Sequence, residues 1–304
     1  EIEGAQEVIS DEFEKTKNQD IIVRYIQDLY RFFNFNNNFL GYKNIFKLDI
    51  GLHKCEIFKI LNNYNQLVRS SAELLMSQNM SYHASLTFEK AIKNGLNEAE
   101  VYEKAGFSFQ KTKNFEKALK NYKKAEYFDR NKKWLFKKIG FTNLKMQNYK
   151  QALEYYKKAE IEDADDIATQ SFIGRCYLEL GKFNEALKNF FKADFFKPDN
   201  VKIMRSISFC SYKVEKYEQA EKYALKCIEK EPHKFDFFLM GNINWIKNNK
   251  TEAIKFYTTA MSEFKTFAEF KTEFFEFKKF LIEHNISEFN YDLMLDYLQM
   301  KFYI

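Results

Sequence analysis

Proline, glycine and cysteine are all scarce in this sequence. With 2 Pro and 9 Gly among 304 residues, the chain cannot be collagen-like, proline-rich, linker-rich or an all-β protein dense in tight turns. Its 4 cysteines, Cys55, Cys176, Cys210 and Cys227, include no CxxC pair, so we expect reduced thiols rather than a disulfide framework or a zinc knuckle. No apolar run approaches the roughly 18 residues that cross a bilayer, so we expect no contact with a membrane.

Hydrophobic residues are abundant, and aromatic ones are the most conspicuous among them. Hydrophobic residues make up 45% of the chain, with 34 Phe and 19 Tyr, which excludes intrinsic disorder and allows a large core. The formal net charge of +5 makes the protein mildly basic. The first residue is Glu1 rather than Met, and the N-terminal stretch has neither the basic nor the apolar region of a signal peptide. We therefore expect a cytoplasmic fragment of a longer protein.

A period of 34 residues organises the middle of the chain. The segments GFSFQKTKNFEKALKNYKKAE at Gly106, GFTNLKMQNYKQALEYYKKAE at Gly140 and GRCYLELGKFNEALKNFFKAD at Gly174 align without gaps. With three weaker copies, they define six units within a repeat region at 65–267. The units are 65–98, 99–132, 133–166, 167–200, 201–233 and 234–267. Residues are numbered below by their position within such a unit.

Small and aromatic residues recur at fixed positions of the units. Position 20 is always alanine: Ala84, Ala118, Ala152, Ala186, Ala220 and Ala253. Position 8 is always small: Ala72, Gly106, Gly140, Gly174, Ser208 and Gly241. Position 24 is aromatic in five units: Phe88, Tyr122, Tyr156, Phe190 and Tyr257. Because closely crossing helices leave room only for small side chains, the pattern predicts helix–turn–helix units whose aromatic rings fill the space beside them, with Pro198 and Pro232 following second helices.

This pattern resembles the tetratricopeptide repeat, a helix–turn–helix unit with aromatic, small and proline residues at the same positions. The resemblance implies an all-α, right-handed α-solenoid of about six units with capping helices at both ends. It also implies a protein-interaction scaffold rather than an enzyme. The whole chain is similar to the C-terminal part of long bacterial tetratricopeptide-repeat proteins of unassigned function, which implies a bacterial source.

The two ends of the chain lie outside the repeats. Residues 20–34 have apolar side chains at helical spacing, and we expect residues 1–64 to form an N-terminal capping segment that is partly helical and partly irregular. Residues 268–304 are expected to form C-terminal capping helices, the first of them starting near residue 264. One apolar face of this region is formed by Phe267, Phe270, Phe274, Phe277 and Leu281. That face either caps the last repeat or forms the seam of a weak homodimer through the C-terminal helix.

Motifs of catalysis and cofactor binding are missing. The sequence contains no GxxxxGK[ST], GxGxxG, GxSxG or HExxH. The acidic cluster Glu162, Asp163, Asp165 and Asp166 lacks the glycine and the closing glutamate of a calcium loop, so we interpret it as a solvated turn with a helix N-cap. We therefore expect no enzymatic activity, no cofactor and no metal.

The resemblance also implies where a ligand binds. In the family, positions 2, 5, 9, 12 and 13 of the first helices face a concave groove. Carried over to this sequence, these positions give the candidate peptide-binding residues Trp134, Lys137, Phe141, Arg175, Lys202, Arg205, Phe209 and Tyr212. Glu103 and Phe107 stand where some family members clamp a C-terminal carboxylate, so we do not expect a binder of chaperone tails.

Charge and aromatic content indicate the kind of ligand. Residues 99–233 contain 28 Lys and Arg against 20 Asp and Glu, although many of these lysines are interpreted as the solvated outside of second helices. We expect another protein or peptide with an acidic and aromatic segment, held by apolar anchors and charge pairs. The alternative is an RNA-binding helical-repeat protein whose aromatic rings stack on bases while lysines contact phosphates. We favour the protein ligand and do not expect nucleic acid.

Overall fold

All regular elements in the described part of the chain are helices. The structure is a computed structural model that describes residues 64–128 and 132–303. These residues belong to two compact units, one ending at Asn114 and the other beginning at Phe115. The predicted N-terminal segment at 1–64, with its helix at 20–34, lies outside the described residues except for Tyr64. In the described ranges, no helix combines the length and apolar character needed to cross a membrane.

The first unit contains three described helices. They are α1 (Tyr64–Ser77), α2 (Ser81–Lys93) and α3 (Ala99–Lys111). Successive helices pack around Ala72, Ala84, Phe88 and Ala105, all of which are fully buried. Position 20 of the first repeat, Ala84, is therefore a packed position, as the repeat pattern predicts.

The second unit begins with α4 (Phe115–Tyr127) and continues with four helix pairs. The pairs are α5 (Lys132–Lys145) with α6 (Tyr149–Glu162), α7 (Ile167–Glu179) with α8 (Phe183–Phe196), α9 (Val201–Lys213) with α10 (Tyr217–Lys230), and α11 (Lys234–Ile246) with α12 (Lys250–Met261). In each pair the two helices pack against each other, and the second helix also packs against the first helix of the following pair. The predicted all-α helical-repeat fold is therefore confirmed for the described residues.

In three helix pairs, a glycine of the first helix packs closely against an aromatic ring of the second. A Cβ atom added to Gly241 would lie only 2.4 Å from the ring of Tyr257, closer than real Cβ contacts. The same contact would be 2.8 Å for Gly174 with Phe190 and 3.0 Å for Gly140 with Tyr156. The prediction that the aromatic residue at position 24 fills the space beside a small residue at position 8 is confirmed in these pairs.

Side-chain caps and prolines define the helix ends between repeats. The carboxylate of Asp166 accepts a 2.9 Å hydrogen bond from the backbone N–H of Thr169 at the start of α7. The interpretation of the acidic cluster as an N-cap is thereby confirmed. Pro198 and Pro232 each follow the end of a second helix by two residues, where the missing N–H prevents further helix.

Three further helices follow the last pair. They are α13 (Phe267–Phe275), α14 (Lys278–Glu283) and α15 (Glu288–Phe302). The helix expected from near residue 264 is therefore divided in two, although its apolar spacing continues across the break. All five side chains of the apolar face that begins at Phe267 are buried in one core with Phe238, Trp245 and Tyr257 of the last pair. Those side chains are not available to a second copy of the chain.

Candidate ligand groove

The candidate groove residues lie on three first helices of the second unit. Repeat positions 2, 5, 9 and 12 are separated by three or four residues, so they share one face of a first helix. The structure places Trp134, Lys137 and Phe141 on α5, Arg175 on α7, and Lys202, Arg205, Phe209 and Tyr212 on α9. We call this surface the groove face.

Three half-buried aromatic rings on the groove face each have a lysine one helical turn further along. The distances from the lysine nitrogen to the ring centroid are 5.3 Å for Lys138 over Trp134, 5.4 Å for Lys145 over Phe141 and 5.6 Å for Lys213 over Phe209. A cation in such a position is attracted by the ring, by about 0.5–1 kcal/mol at an exposed site. The pairs at Trp134 and Phe141 therefore present apolar area directly beside a positive charge.

The phenylalanine rings of the groove face are fixed by aromatic contacts below them. Phe141 meets Phe172 edge-on at a centroid distance of 6.2 Å, and Phe172 stacks on the buried ring of Tyr156 at 5.0 Å. Phe209 lies 5.5 Å from Phe235 of the next repeat. These contacts hold the rings in place before any ligand arrives, which lowers the entropy lost on binding. Phe172 was not among the residues predicted from the sequence, although it is an aromatic residue next to groove position 5 of its repeat.

Two of the candidate cations tie one first helix to the start of the next first helix. The Lys137 ammonium donates a 2.8 Å hydrogen bond to the carboxylate of Asp166. The Arg205 guanidinium donates two hydrogen bonds of 2.8 Å to the buried carboxylate of Asp236. The hydrogen bonds with Asp236 are the main cause of a raised pKa for Arg205. Burial acts to raise the pKa of Asp166, but hydrogen bonds from Lys137 and Thr169 outweigh it and lower the pKa.

The acids in these pairs were not among the sequence candidates. Both of them lie 29 to 31 residues after their cation, close to one repeat length. In the first compact unit, Arg69 occupies position 5 of its repeat, as Lys137 and Arg205 do. It donates a 2.5 Å hydrogen bond to Glu100, which lies 31 residues further along. This recurrent spacing was readable in the sequence. The remaining candidate cations, Arg175 and Lys202, are exposed.

Tyr212 is fully buried because α14 lies over it. The ring of Phe280 is 4.4 Å from that of Tyr212, and the Lys213 ammonium lies 4.3 Å from the centroid of Phe280. Burial lowers the pKa of Lys213. Phe277 likewise lies 6.2 Å from Phe235, at a groove position of the last repeat. The C-terminal segment of the chain therefore occupies this end of the groove face.

Nucleophilic and metal-binding side chains do not gather on the groove face. Cys176, Cys210 and Cys227 are free, buried thiols, as expected from their spacing. Burial raises the pKa of Cys176 and Cys210 to about 12 and that of Cys227 to about 11. Within the ranges that the structure describes, no three His, Cys, Asp or Glu side chains meet in an arrangement that could hold a metal ion.

Comparisons with known proteins agree with this architecture. Residues 143–199 match the family model for the tetratricopeptide repeat. No curated protein sequence matches the chain. The crystal structure of YrrB, described as a TPR protein with an unusual peptide-binding site, is 23% identical over 56% of this chain and 88% of that chain, with a TM-score of 0.51.

Two further solved structures have the same fold. The crystal structure of MamA protein is 18% identical over 56% of this chain and 93% of that chain, with a TM-score of 0.52. PilF of Pseudomonas aeruginosa is 14% identical over 71% of this chain and 96% of that chain, with a TM-score of 0.54. The family resemblance drawn from the repeat positions is thereby confirmed at the level of the fold.

Proposed function

We propose that this chain, which carries tetratricopeptide repeats at residues 143–199 and has their fold, is a non-catalytic scaffold that binds a segment of another protein on its groove face. The accessible part of that surface runs from Trp134 on α5 to Phe209 on α9. Arg205 is paired with Asp236 and Tyr212 lies beneath Phe280, so these two candidates are assigned a structural role below the ligand surface.

The observation that carries this proposal is the repeated pairing of an aromatic ring with a lysine one turn away. A ligand with aromatic side chains gains from the fixed, half-buried rings, and its carboxylates gain from Lys138, Lys145 and the exposed Arg175. The proposed ligand is therefore an acidic segment with aromatic residues. The peptide-binding site for which YrrB is described gives a peptide ligand a precedent in this fold.

RNA is the less favoured ligand of the same surface. Single-stranded RNA needs a continuous row of free cations along its phosphates. On the groove face, Lys137 and Arg205 are paired with Asp166 and Asp236, which interrupts such a row.

We also propose that the protein is cytoplasmic, because its buried free thiols would stay reduced there.

The proposal can be tested with peptides selected on the protein itself. A displayed library of random peptides is selected on the full chain, and the recovered sequences should be enriched in Asp, Glu and aromatic residues. Affinities of labelled peptides are then measured by fluorescence anisotropy. The double variant Phe141→Ala/Phe209→Ala should bind them roughly 700-fold more weakly, because each ring is expected to be an interaction hot spot of about 2 kcal/mol.

A matched control separates loss of the groove from general loss of an aromatic side chain. Phe195→Ala removes an exposed phenylalanine of α8, on a second helix, and should leave the affinities unchanged. Circular dichroism should show equal helicity for all variants. Equal binding by the double variant and the parent would place the ligand elsewhere, and a labelled oligouridine that binds more tightly than any selected peptide would favour the RNA alternative.

A further inference from the structure

The terminal helix α15 is apolar on two opposite faces. One face packs into the core of the last repeat and the C-terminal helices through Tyr291, Met294, Leu295 and Leu298, all of which are buried. The opposite face has large apolar side chains exposed to solvent. Their exposed fractions are 75% for Phe289, 56% for Leu293, 41% for Tyr297, 64% for Met300 and 72% for Tyr303 just beyond the helix end. We call these five side chains the terminal stripe.

The size of the terminal stripe indicates that another surface covers it. A surface helix normally has polar residues opposite its buried face, whereas α15 has large apolar side chains there. At about 200 Å² for a large side chain, the exposed fractions give roughly 600 Å² of apolar surface. A standard protein interface buries about 800 Å² on each partner, so the terminal stripe and a charged rim would supply one.

The spacing of the terminal stripe suits a second helix. Its five members are separated by steps of 4, 4, 3 and 3 residues, so that four steps cover 14 residues. The average of 3.5 residues per step is the period at which two helices stay in contact along a seam. A cavity of about 290 Å³ opens beside the stripe, lined in part by Trp245, Leu293 and Tyr297, and could receive a side chain from the opposing helix.

We propose that the terminal stripe packs against the terminal stripe of a second copy of this chain, with the two α15 helices antiparallel. A two-fold contact needs a surface that is complementary to itself, and a stripe of apolar side chains along a helix meets that requirement. The proposal concerns a different surface from the groove face and does not depend on the proposed function.

The charges of α15 favour the antiparallel arrangement. Its first half carries Glu288 and Asp292, Asp296 lies just past its midpoint, and its last turn carries Lys301. Lys278 lies 3.9 Å from Glu288 and 3.6 Å from Asp292 and offsets part of the negative charge. Parallel helices would place their two acidic ends side by side. Antiparallel helices place the acidic end of each near Lys301 of the second copy, and their helix dipoles then point in opposite directions, which is favourable. With the two stripes aligned over their full length, Phe289 lies opposite the second copy's Tyr303.

Sedimentation of the full chain tests the pairing. The parent should be a dimer whose population falls on dilution, and Leu293→Glu/Met300→Glu should raise its dissociation constant at least about 100-fold. The control Phe195→Glu places the same charge on an exposed side chain of α8 and should leave the dimer intact. Both altered residues of the double variant are more than half exposed, so its melting temperature at a concentration where the parent is monomeric should match that of the parent.

Cysteine crosslinking tests the orientation in a Cys55→Ser background. A mixture of Phe289→Cys and Tyr303→Cys chains should form a disulfide-linked heterodimer, while Phe289→Cys alone should not crosslink. Efficient crosslinking of Phe289→Cys with itself would overturn the antiparallel arrangement. A parent that stays monomeric at about 200 μM, or a double variant that dimerises like the parent, would overturn the self-association. A monomeric parent that floats with phosphatidylcholine–phosphatidylserine vesicles through the terminal stripe would assign the surface to lipid instead.

Discussion

The guanidinium group of Arg205 and the carboxylate of Asp236 form two hydrogen bonds of 2.8 Å, with one residue in each of two successive repeats. Asp236 is fully buried at the start of α11, and Arg205 also donates to the backbone carbonyl of Glu231 at 2.9 Å. A carboxylate in that position depends on its partner, because a charge left unpaired in the interior is strongly destabilising. The pair therefore fixes how α9 meets α11.

Arg205→Ala is expected to lower the free energy of unfolding by about 3 kcal/mol, because it leaves Asp236 buried without its cation. The double variant Arg205→Met/Asp236→Leu should recover most of that loss, since apolar side chains of similar volume remove both charges together. Arg175→Ala is the control, because Arg175 is exposed and its nearest acid, Glu179, is 3.8 Å away. Urea unfolding followed by circular dichroism measures all three. Equal losses for Arg205→Ala and Arg175→Ala would contradict this account.

The three glycines that face aromatic rings should differ in their tolerance of alanine. The added Cβ would lie 2.4 Å from a ring at Gly241, 2.8 Å at Gly174 and 3.0 Å at Gly140. Gly241→Ala should therefore be the most destabilising and Gly140→Ala the least, within the roughly 1–3 kcal/mol range of overpacked cores. Tyr257 has little freedom to move, because its hydroxyl donates a 2.7 Å hydrogen bond to Asn242. Thermal melting ranks the variants, and a reversed order would show that the rings yield freely.

The charged network of the first unit should make stability depend on pH. Hydrogen bonds, first from Lys104 and then from Arg69, lower the pKa of Glu100 to about 2 despite its partial burial. Because the folded pKa lies below the unfolded value of about 4.3, the stabilisation is complete above that value and is lost as the pH falls toward 2. The pKa of Glu73 in the same network is also lowered, through hydrogen bonds from Lys104 and Arg69 that outweigh burial.

Glu100→Gln should therefore melt at a lower temperature than the parent at pH 7, and the difference should shrink between about pH 4.5 and pH 2.5. Glu116→Gln, on the exposed surface of α4, is the matched control and should show a small difference that changes little with pH. Melting curves at four pH values are sufficient. A difference for Glu100→Gln that stays constant down to pH 2.5 would mean that the network is not electrostatic in origin.

The thiols of the repeats should be inert until the chain unfolds. Burial raises the pKa of Cys176, Cys210 and Cys227 to about 11 or 12, so very little thiolate exists at pH 8. In a Cys55→Ser background, Ellman's reagent should react at least about 1000-fold more slowly with the folded protein than with protein in guanidinium chloride. Fast reaction of any thiol in the folded protein would show that its repeat opens locally.

The repeat period was sufficient to predict the helices of the described repeats, because the residues that form the helix crossings recur in every unit. Gly174 and Phe190 are close in sequence, and their sizes alone indicate that they touch. The partner of Arg205 could not be predicted with the same ease, since its contact with Asp236 depends on how one repeat stacks on the next. The contact between Phe280 and Tyr212 could not be predicted from the sequence. Phe280 lies 68 residues after Tyr212 and reaches the groove face only because of the path of the C-terminal helices.

The position of Phe280 gives the groove face a closed end. Under the proposed function, a segment bound there would cross α5, α7 and α9 and then meet the ring that covers Tyr212. Neighbouring helix axes lie about 10 Å apart, so the open stretch spans roughly 20 Å. An extended chain covers that distance with about six residues. For the proposed ligand, the closed end would therefore set the length of the segment that fits and the register at which it stops, independently of the side chains that the segment carries.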